Sequence, residues 1–256
     1  MSSLILRREG PVALVVLRRP PINALDREAL AELGKAAEAV RADREARVVV
    51  ITGGIDGIFC SGGDLKYWRQ VHDGNEVSRI GREVFGRVER LPKPTIAAVN
   101  GHVIGDGLAL ALACDLRIAS VTATFRLPEV AYGFIPGWDL IRRLLASVGR
   151  RNAAELLLTG QPVEASRARA MGFVNEVVPS DRLMDEVLKQ ARKLAGLSPA
   201  ALRAAKCALR GGNERPCFGA IWNQKDWREG IDSVLSKRTP AYGPDGKGCE
   251  DCDHLG

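Results

Sequence analysis

Thr95-Ile96-Ala97-Ala98-Val99-Asn100-Gly101-His102-Val103-Ile104-Gly105-Asp106-Gly107-Leu108-Ala109-Leu110-Ala111-Leu112-Ala113-Cys114 reads as a buried strand, a glycine-rich turn and a buried helix in direct succession. Thr95 to Val99 carries no polar alternation, which is the pattern of a short strand covered on both faces. Leu108 to Cys114 is apolar on every side, so a helix there must be central rather than amphipathic. A strand over Leu116 to Ala119 follows. Upstream, the strand-like Val48 to Thr52 leads into Gly53 to Asp64, whose five glycines predict a loop, and then into a helical stretch from Leu65 to Gln70. Two successive units of strand, glycine turn and helix predict an α/β protein.

Working outward, Leu4 to Arg8 and Val12 to Leu17 form a hairpin pattern around Glu9-Gly10-Pro11 that ends at Pro20-Pro21. Asp26 is placed to cap a helix whose Leu30, Leu33, Ala37 and Val40 recur at three- and four-residue spacing, running to about Arg41. A polar helix ends near Arg90, and further αβ alternation continues through Val174 to Val178. From Asp181 onward helical patterns dominate, with segments over Pro199 to Arg210 and Ala220 to Leu235. The expected division is a spiral core over 1–195, a helical oligomerisation region over 196–240 and a flexible tail over 241–256, where Pro, Gly and acidic residues replace large apolar side chains.

Lys plus Arg outnumber Asp plus Glu by 37 to 31, a net charge of +6 too small and dispersed for a nucleic-acid stripe. Charges at Arg7, Arg8, Glu9, Arg18 and Arg19 break up any signal-peptide core, and no uncharged run is long enough to span a membrane. Four of the six cysteines lie in apolar or Gly-rich surroundings rather than a disulfide framework, so a reducing, cytoplasmic setting is expected. In the tail, Cys249-x-x-Cys252 with His254 has zinc-ligand spacing, but no second pair lies close by, and no metal is expected.

Two glycine-rich turns that follow buried strands can each offer a backbone N–H at a helix start, and two such donors aimed at one point make an oxyanion hole. Ser61 and Asp106 are the candidates; the alternative is that the glycines only permit tight turns. The third feature is Glu129, within Phe125-Arg126-Leu127-Pro128-Glu129 and ahead of Val130 to Gly137. A carboxyl in such apolar surroundings has its pKa raised toward neutrality, as a group that takes and returns a proton requires. The bland alternative is a partly exposed loop glutamate.

Pro21-Ile22-Asn23-Ala24-Leu25, Phe59-Cys60-Ser61-Gly62-Gly63-Asp64-Leu65, Asn100-Gly101 through Cys114-Asp115, Pro128-Glu129, and Leu158-Thr159-Gly160 with Ala170-Met171-Gly172-Phe173-Val174 together resemble the crotonase, or enoyl-CoA hydratase and isomerase, family over about residues 4 to 240. The resemblance implies a spiral of repeated ββα units, a C-terminal helical trimerisation region, and trimers or hexamers built as pairs of trimers. It also implies an acyl-CoA thioester as substrate, with no further cofactor. By position it puts the two oxyanion donors on the N–H groups of Ser61 and Asp106, and the substrate pocket at Ala24, Gly62, Asp64, Leu65, Gly105 and Gly107. Phe218 and Lys237 fall where family members contact CoA from a neighbouring subunit, where a lysine has a use against phosphate.

Two departures from the family pattern shape the expected reaction. Hydratases of the family carry a second glutamate where this chain has Ala109. Hydration needs one group for the water and another for the C2 proton, whereas moving a double bond needs one shuttle. The first expectation is therefore a 3-enoyl-CoA to 2-enoyl-CoA isomerase using Glu129. Asp106, the other departure, replaces the usual middle glycine of a triplet. Its side chain is expected to cap a helix starting at Gly107; pointing instead into the pocket, it or Asp139 would restore a hydratase or lyase. Trp138 is expected to narrow or reshape the acyl pocket, and a non-catalytic acyl-CoA binding or assembly role is the alternative of another class.

Overall fold

Alternation with period two decides the larger sheet of the computed structural model, which describes residues 2–211 and 214–243. The chain opens with β1 (Leu4–Glu9), β2 (Val12–Leu17), α1 (Arg27–Ala42), β3 (Val48–Gly53), β4 (Ile58–Cys60), α2 (Leu65–Trp68) and α3 (Gly74–Glu89). It continues with β5 (Thr95–Val99), β6 (His102–Ile104), α4 (Asp106–Ala113), β7 (Leu116–Ser120), β8 (Thr124–Arg126), a 3-10 turn (Glu129–Tyr132) and α5 (Leu140–Thr159). Then come β9 (Val163–Glu164), α6 (Ala165–Met171), β10 (Glu176–Val178), α7 (Leu183–Ala195), α8 (Pro199–Leu209), α9 (Glu214–Trp222) and α10 (Asp226–Leu235).

The large sheet has the order β1-β2-β3-β5-β7-β10, and only the β1–β2 hairpin is antiparallel. Val49, Ile51, Ala97 and Val99 face the main core, where α1, α3 and α4 also bury their apolar residues. Val48, Val50, Ile96 and Ala98 face the other way, against Leu183, Val187 and Ala191 of α7. Helices on both faces explain why these strands are continuous apolar runs. A second sheet, β4-β6-β8-β9, takes the next strand after β3, β5 and β7 in turn. Each turn of the chain thus gives one strand to each sheet and then a helix, which is the expected ββα spiral.

The glycine-rich stretches Gly53 to Asp64 and Asn100 to Gly107 are therefore not wholly loop, because β4 and β6 form inside them and pair in parallel. Phe59, Cys60 and Val103 are fully buried, so burial rather than length stabilises these three-residue strands. The expected helix over Ala220 to Leu235 is two helices, α9 and α10, with Trp227 folded back so that its Nε1–H donates to Trp222 O at 3.0 Å. Residues 241–243, at the start of the expected tail, are engaged: Ala241 N–H donates to Glu229 at 2.7 Å, and Arg47 to Tyr242 O at 3.3 Å. The rest of that tail, with Cys249 and Cys252, lies outside the described residues. Among the described residues no helix is long and apolar enough to cross a membrane, and no cluster of three or more His, Cys, Asp or Glu is arranged for a metal ion.

Candidate active site

Helix α4 organises the site. Its apolar body, Gly107 to Ala113, is buried, so the helix is fixed along its length and only Asp106 at its N-terminus is less than fully buried. Gly105 stands at the cap position with φ 53°, and the helix begins at Asp106. The Asp106 side chain makes no capping bond, contrary to the expectation of a cap for a helix starting at Gly107. The reason is one of register: a residue already in the first turn projects its side chain outward instead of folding it back over the helix end.

Glu129 approaches the same place from the 3-10 turn after β8 and is only 4% exposed. Its Oε2, Asp106 Oδ1 and Ser61 Oγ are buried polar atoms without a hydrogen-bond partner. Such atoms are costly in a folded protein and mark places arranged for a ligand or for chemistry. Burial foremost, and then the facing Glu129 carboxyl, push Asp106 up to about 7, against a backbone hydrogen bond from Gly137 that pulls it down. Burial likewise raises Glu129, its own backbone N–H opposing. Two carboxyls buried in one site cannot both ionise cheaply. Cys60, beneath them, is pushed up to about 12 by burial and stays a thiol.

Gly105 leaves the room that Glu129 occupies. A β-carbon there would sit 2.5 Å from Glu129 Oε1, and its φ of 53° is itself unfavourable for a side chain. Gly105→Ala should therefore displace the carboxyl and lower kcat by about 10²-fold, as misplacements near 1 Å do. Steady-state kinetics checks this, and an unchanged kcat would show that Glu129 does not need that position.

The donor expected at Ser61 is not available. Ser61 N–H donates to Ile22 O at 3.2 Å, closing the turn onto the segment before α1. Gly62, at φ 80°, then reverses the backbone, and a β-carbon on it would lie 2.9 Å from Asp106 N. Among the described residues, neither Gly63 N–H nor Asp106 N–H has a protein acceptor, so the paired free donors are Gly63 and Asp106. A sequence signal for this existed in the Gly62-Gly63 pair, since a positive φ at the first glycine redirects the N–H of the second.

The family model described as enoyl-CoA hydratase/isomerase matches residues 7–244. The chain belongs to that family. Among its relatives, the 2,3-dehydroadipyl-CoA hydratase of Escherichia coli is 37% identical over 253 residues, covering 94% of this chain and 99% of that protein. The crotonyl-CoA hydratase of Syntrophomonas wolfei is 34% identical over 250 residues, covering 93% and 96%. A solved structure of an enoyl-CoA hydratase from Bacillus anthracis superposes with a TM-score of 0.89 at 32% identity, covering 94% of this chain and 98% of that one.

Within this enoyl-CoA hydratase/isomerase fold, the remaining expected site residues divide. Ala109 is fully buried in α4, so no acid stands at the family's second position. Asp64 caps α2, accepting from Lys66 N–H and Tyr67 N–H at 3.0 and 3.2 Å, and pairs with Arg19 at 2.8 Å. Arg19 also holds Asp26 and the Ala24 carbonyl, so Ala24 and Asp64 belong to one brace. Leu65 is exposed beside it. Gly107 lets α4 press onto β4, since a β-carbon on it would meet the Cys60 carbonyl. Asp139 does not join the carboxyl pair in any hydrogen bond and instead stands 3.9 Å from Arg142. Phe218 lies exposed on α9, edge-on to Trp222, and Lys237 is exposed just beyond α10. Sequence reasoning missed Gly63, Gly137 and Trp68; Trp68 lies against Gly63, where a β-carbon would meet its ring at 3.1 Å.

Proposed function

We propose that this chain adds water across the double bond of a 2-enoyl-CoA, with Glu129 and Asp106 as its two acid–base groups. The observation that carries this reading is the buried, unpartnered Asp106 Oδ1 set with the buried, unpartnered Glu129 Oε2, which supplies from the first residue of α4 the second acid that Ala109 removes from its fourth. In this reading the thioester oxygen accepts from Gly63 N–H and Asp106 N–H, at the positive end of α4. With the one proton of the coupled pair on Glu129, the Asp106 carboxylate takes a proton from water as the hydroxyl adds to C3. The Glu129 carboxyl delivers its proton to C2. One water is consumed, the product is a 3-hydroxyacyl-CoA, and the proton now on Asp106 returns to Glu129 to reset the pair. Relatives named hydratases support the same assignment.

The isomerase reading rests on Ala109 and asks only Glu129 to move a proton from C2 to C4. Offering crotonyl-CoA and 3-hexenoyl-CoA side by side separates the two. Water addition to crotonyl-CoA as the faster reaction is the expected result. Double-bond migration without hydration would replace the proposal with the isomerase, and acyl-CoA binding without either reaction would replace both with a binding role.

The shared proton gives the pH dependence. Both carboxyls are raised above their ordinary values, so the singly protonated pair persists up to neutrality and is lost as pH rises through about 7. Hydration kcat should fall along that limb, and a profile flat across neutrality would contradict the pairing. The same family reading assigns a homotrimer or a pair of trimers, covering Phe218, Trp222, Val234 and Leu235, which stand exposed on the single chain. Sedimentation as a monomer would reject that assembly.

A further inference from the structure

We infer that Trp68 and Trp138 form a rigid end wall to the acyl pocket, so that the site takes short-chain enoyl thioesters and turns away medium-chain ones. The inference rests on the proposed hydratase site and names its substrate class. A β-carbon on Gly63 would lie 3.1 Å from the Trp68 ring and 3.5 Å from Asp106 Oδ2, so the indole edge and the carboxyl flank the same point of the pocket. Behind Trp68 stands Trp138, ring centroids 6.0 Å apart and nearly perpendicular, and behind Trp138 stands the fully buried Phe85 at 5.2 Å. Three rings in edge-to-face contact run from the carboxyl pair into the core.

The wall is also pinned. Trp68 Nε1–H donates to Leu25 O at 2.8 Å, and Trp138 Nε1–H to Val77 O at 2.9 Å, so neither indole turns aside without stranding a donor. Trp138 is only 2% exposed and lies so close over α3 that a β-carbon on Gly81 would collide with its ring. Its backbone is held in the left-handed region at φ 54°, a conformation rarely adopted by a bulky residue and one that persists only where surroundings enforce it. The buried Arg143, anchored by Glu89 at 2.7 Å, donates to the Trp138 carbonyl.

Binding of saturated acyl-CoA tests this without requiring turnover, so a failed hydratase assignment leaves the experiment intact. Titration calorimetry with butyryl-CoA and octanoyl-CoA is run on the wild type, Trp68→Ala and Trp138→Phe, with Tm recorded for each. An open apolar channel would gain about fourfold in affinity per added methylene. The wild type should instead bind octanoyl-CoA at least tenfold more weakly than butyryl-CoA. Folded Trp68→Ala or Trp138→Phe should shift that ratio at least tenfold toward octanoyl-CoA. Tighter binding of octanoyl-CoA by the wild type, or a ratio unmoved in both folded variants, would overturn the inference. The Trp138→Phe variant keeps most of the buried ring and guards against simple loss of folding in a larger truncation.

Discussion

Glu129→Gln should lower kcat for crotonyl-CoA hydration by about three to four orders of magnitude, the upper end of what a positioned proton-transfer group supplies. The amide fills the same space but cannot hand a proton to C2, so the loss appears in kcat with little change in KM. Stability should move the other way. Burial raises the Glu129 carboxyl, so keeping it ionised opposes folding increasingly as pH rises above its unfolded value. Replacing the carboxyl with a neutral amide should leave Tm unchanged or higher. Thermal unfolding beside the kinetics therefore separates a lost proton donor from a damaged fold. Near wild-type turnover in Glu129→Gln would remove this residue from the chemistry.

Asp106→Asn has the second largest expected effect and a more selective one. The backbone N–H at 106 is retained, so the polarising contact to the thioester oxygen survives while the group that activates water is lost. Hydration should fall by about 10²- to 10³-fold. Exchange of the C2 protons of butyryl-CoA with deuterated water needs only Glu129 and the two N–H donors, and should persist. A variant that loses both would assign the 106 side chain to folding or binding, and one that loses neither would return the site to a single-shuttle mechanism.

Much of this site was legible in the sequence, and the failures share a physical cause. The β5–turn–α4 unit stood out because Thr95–Val99 and Gly107–Ala113 are buried on all sides, a condition composition records directly. Glu129 stood out as a lone acid in an apolar stretch and is indeed buried. The second sheet was invisible, because β4, β6, β8 and β9 are two or three residues long and owe their existence to one another rather than to a local pattern. Direction was equally hidden. Whether Ser61 or Gly63 presents its N–H to the pocket depends on the positive φ of Gly62. Whether Asp106 caps the helix or faces Glu129 depends on a one-residue difference in where α4 begins, finer than residue patterns specify. Asp139 looked equally plausible as an acid beside Trp138, yet it lies by Arg142, since its own left-handed backbone at φ 60° sets its side chain away from a capping bond.

The most direct test of the two-carboxyl site is Asp106→Asn assayed in parallel for hydration of crotonyl-CoA and for C2 deuterium exchange into butyryl-CoA. Hydration reduced by about 10²-fold or more, with exchange kept within about tenfold of the wild type, is the predicted result. Hydration that survives the substitution would contradict it.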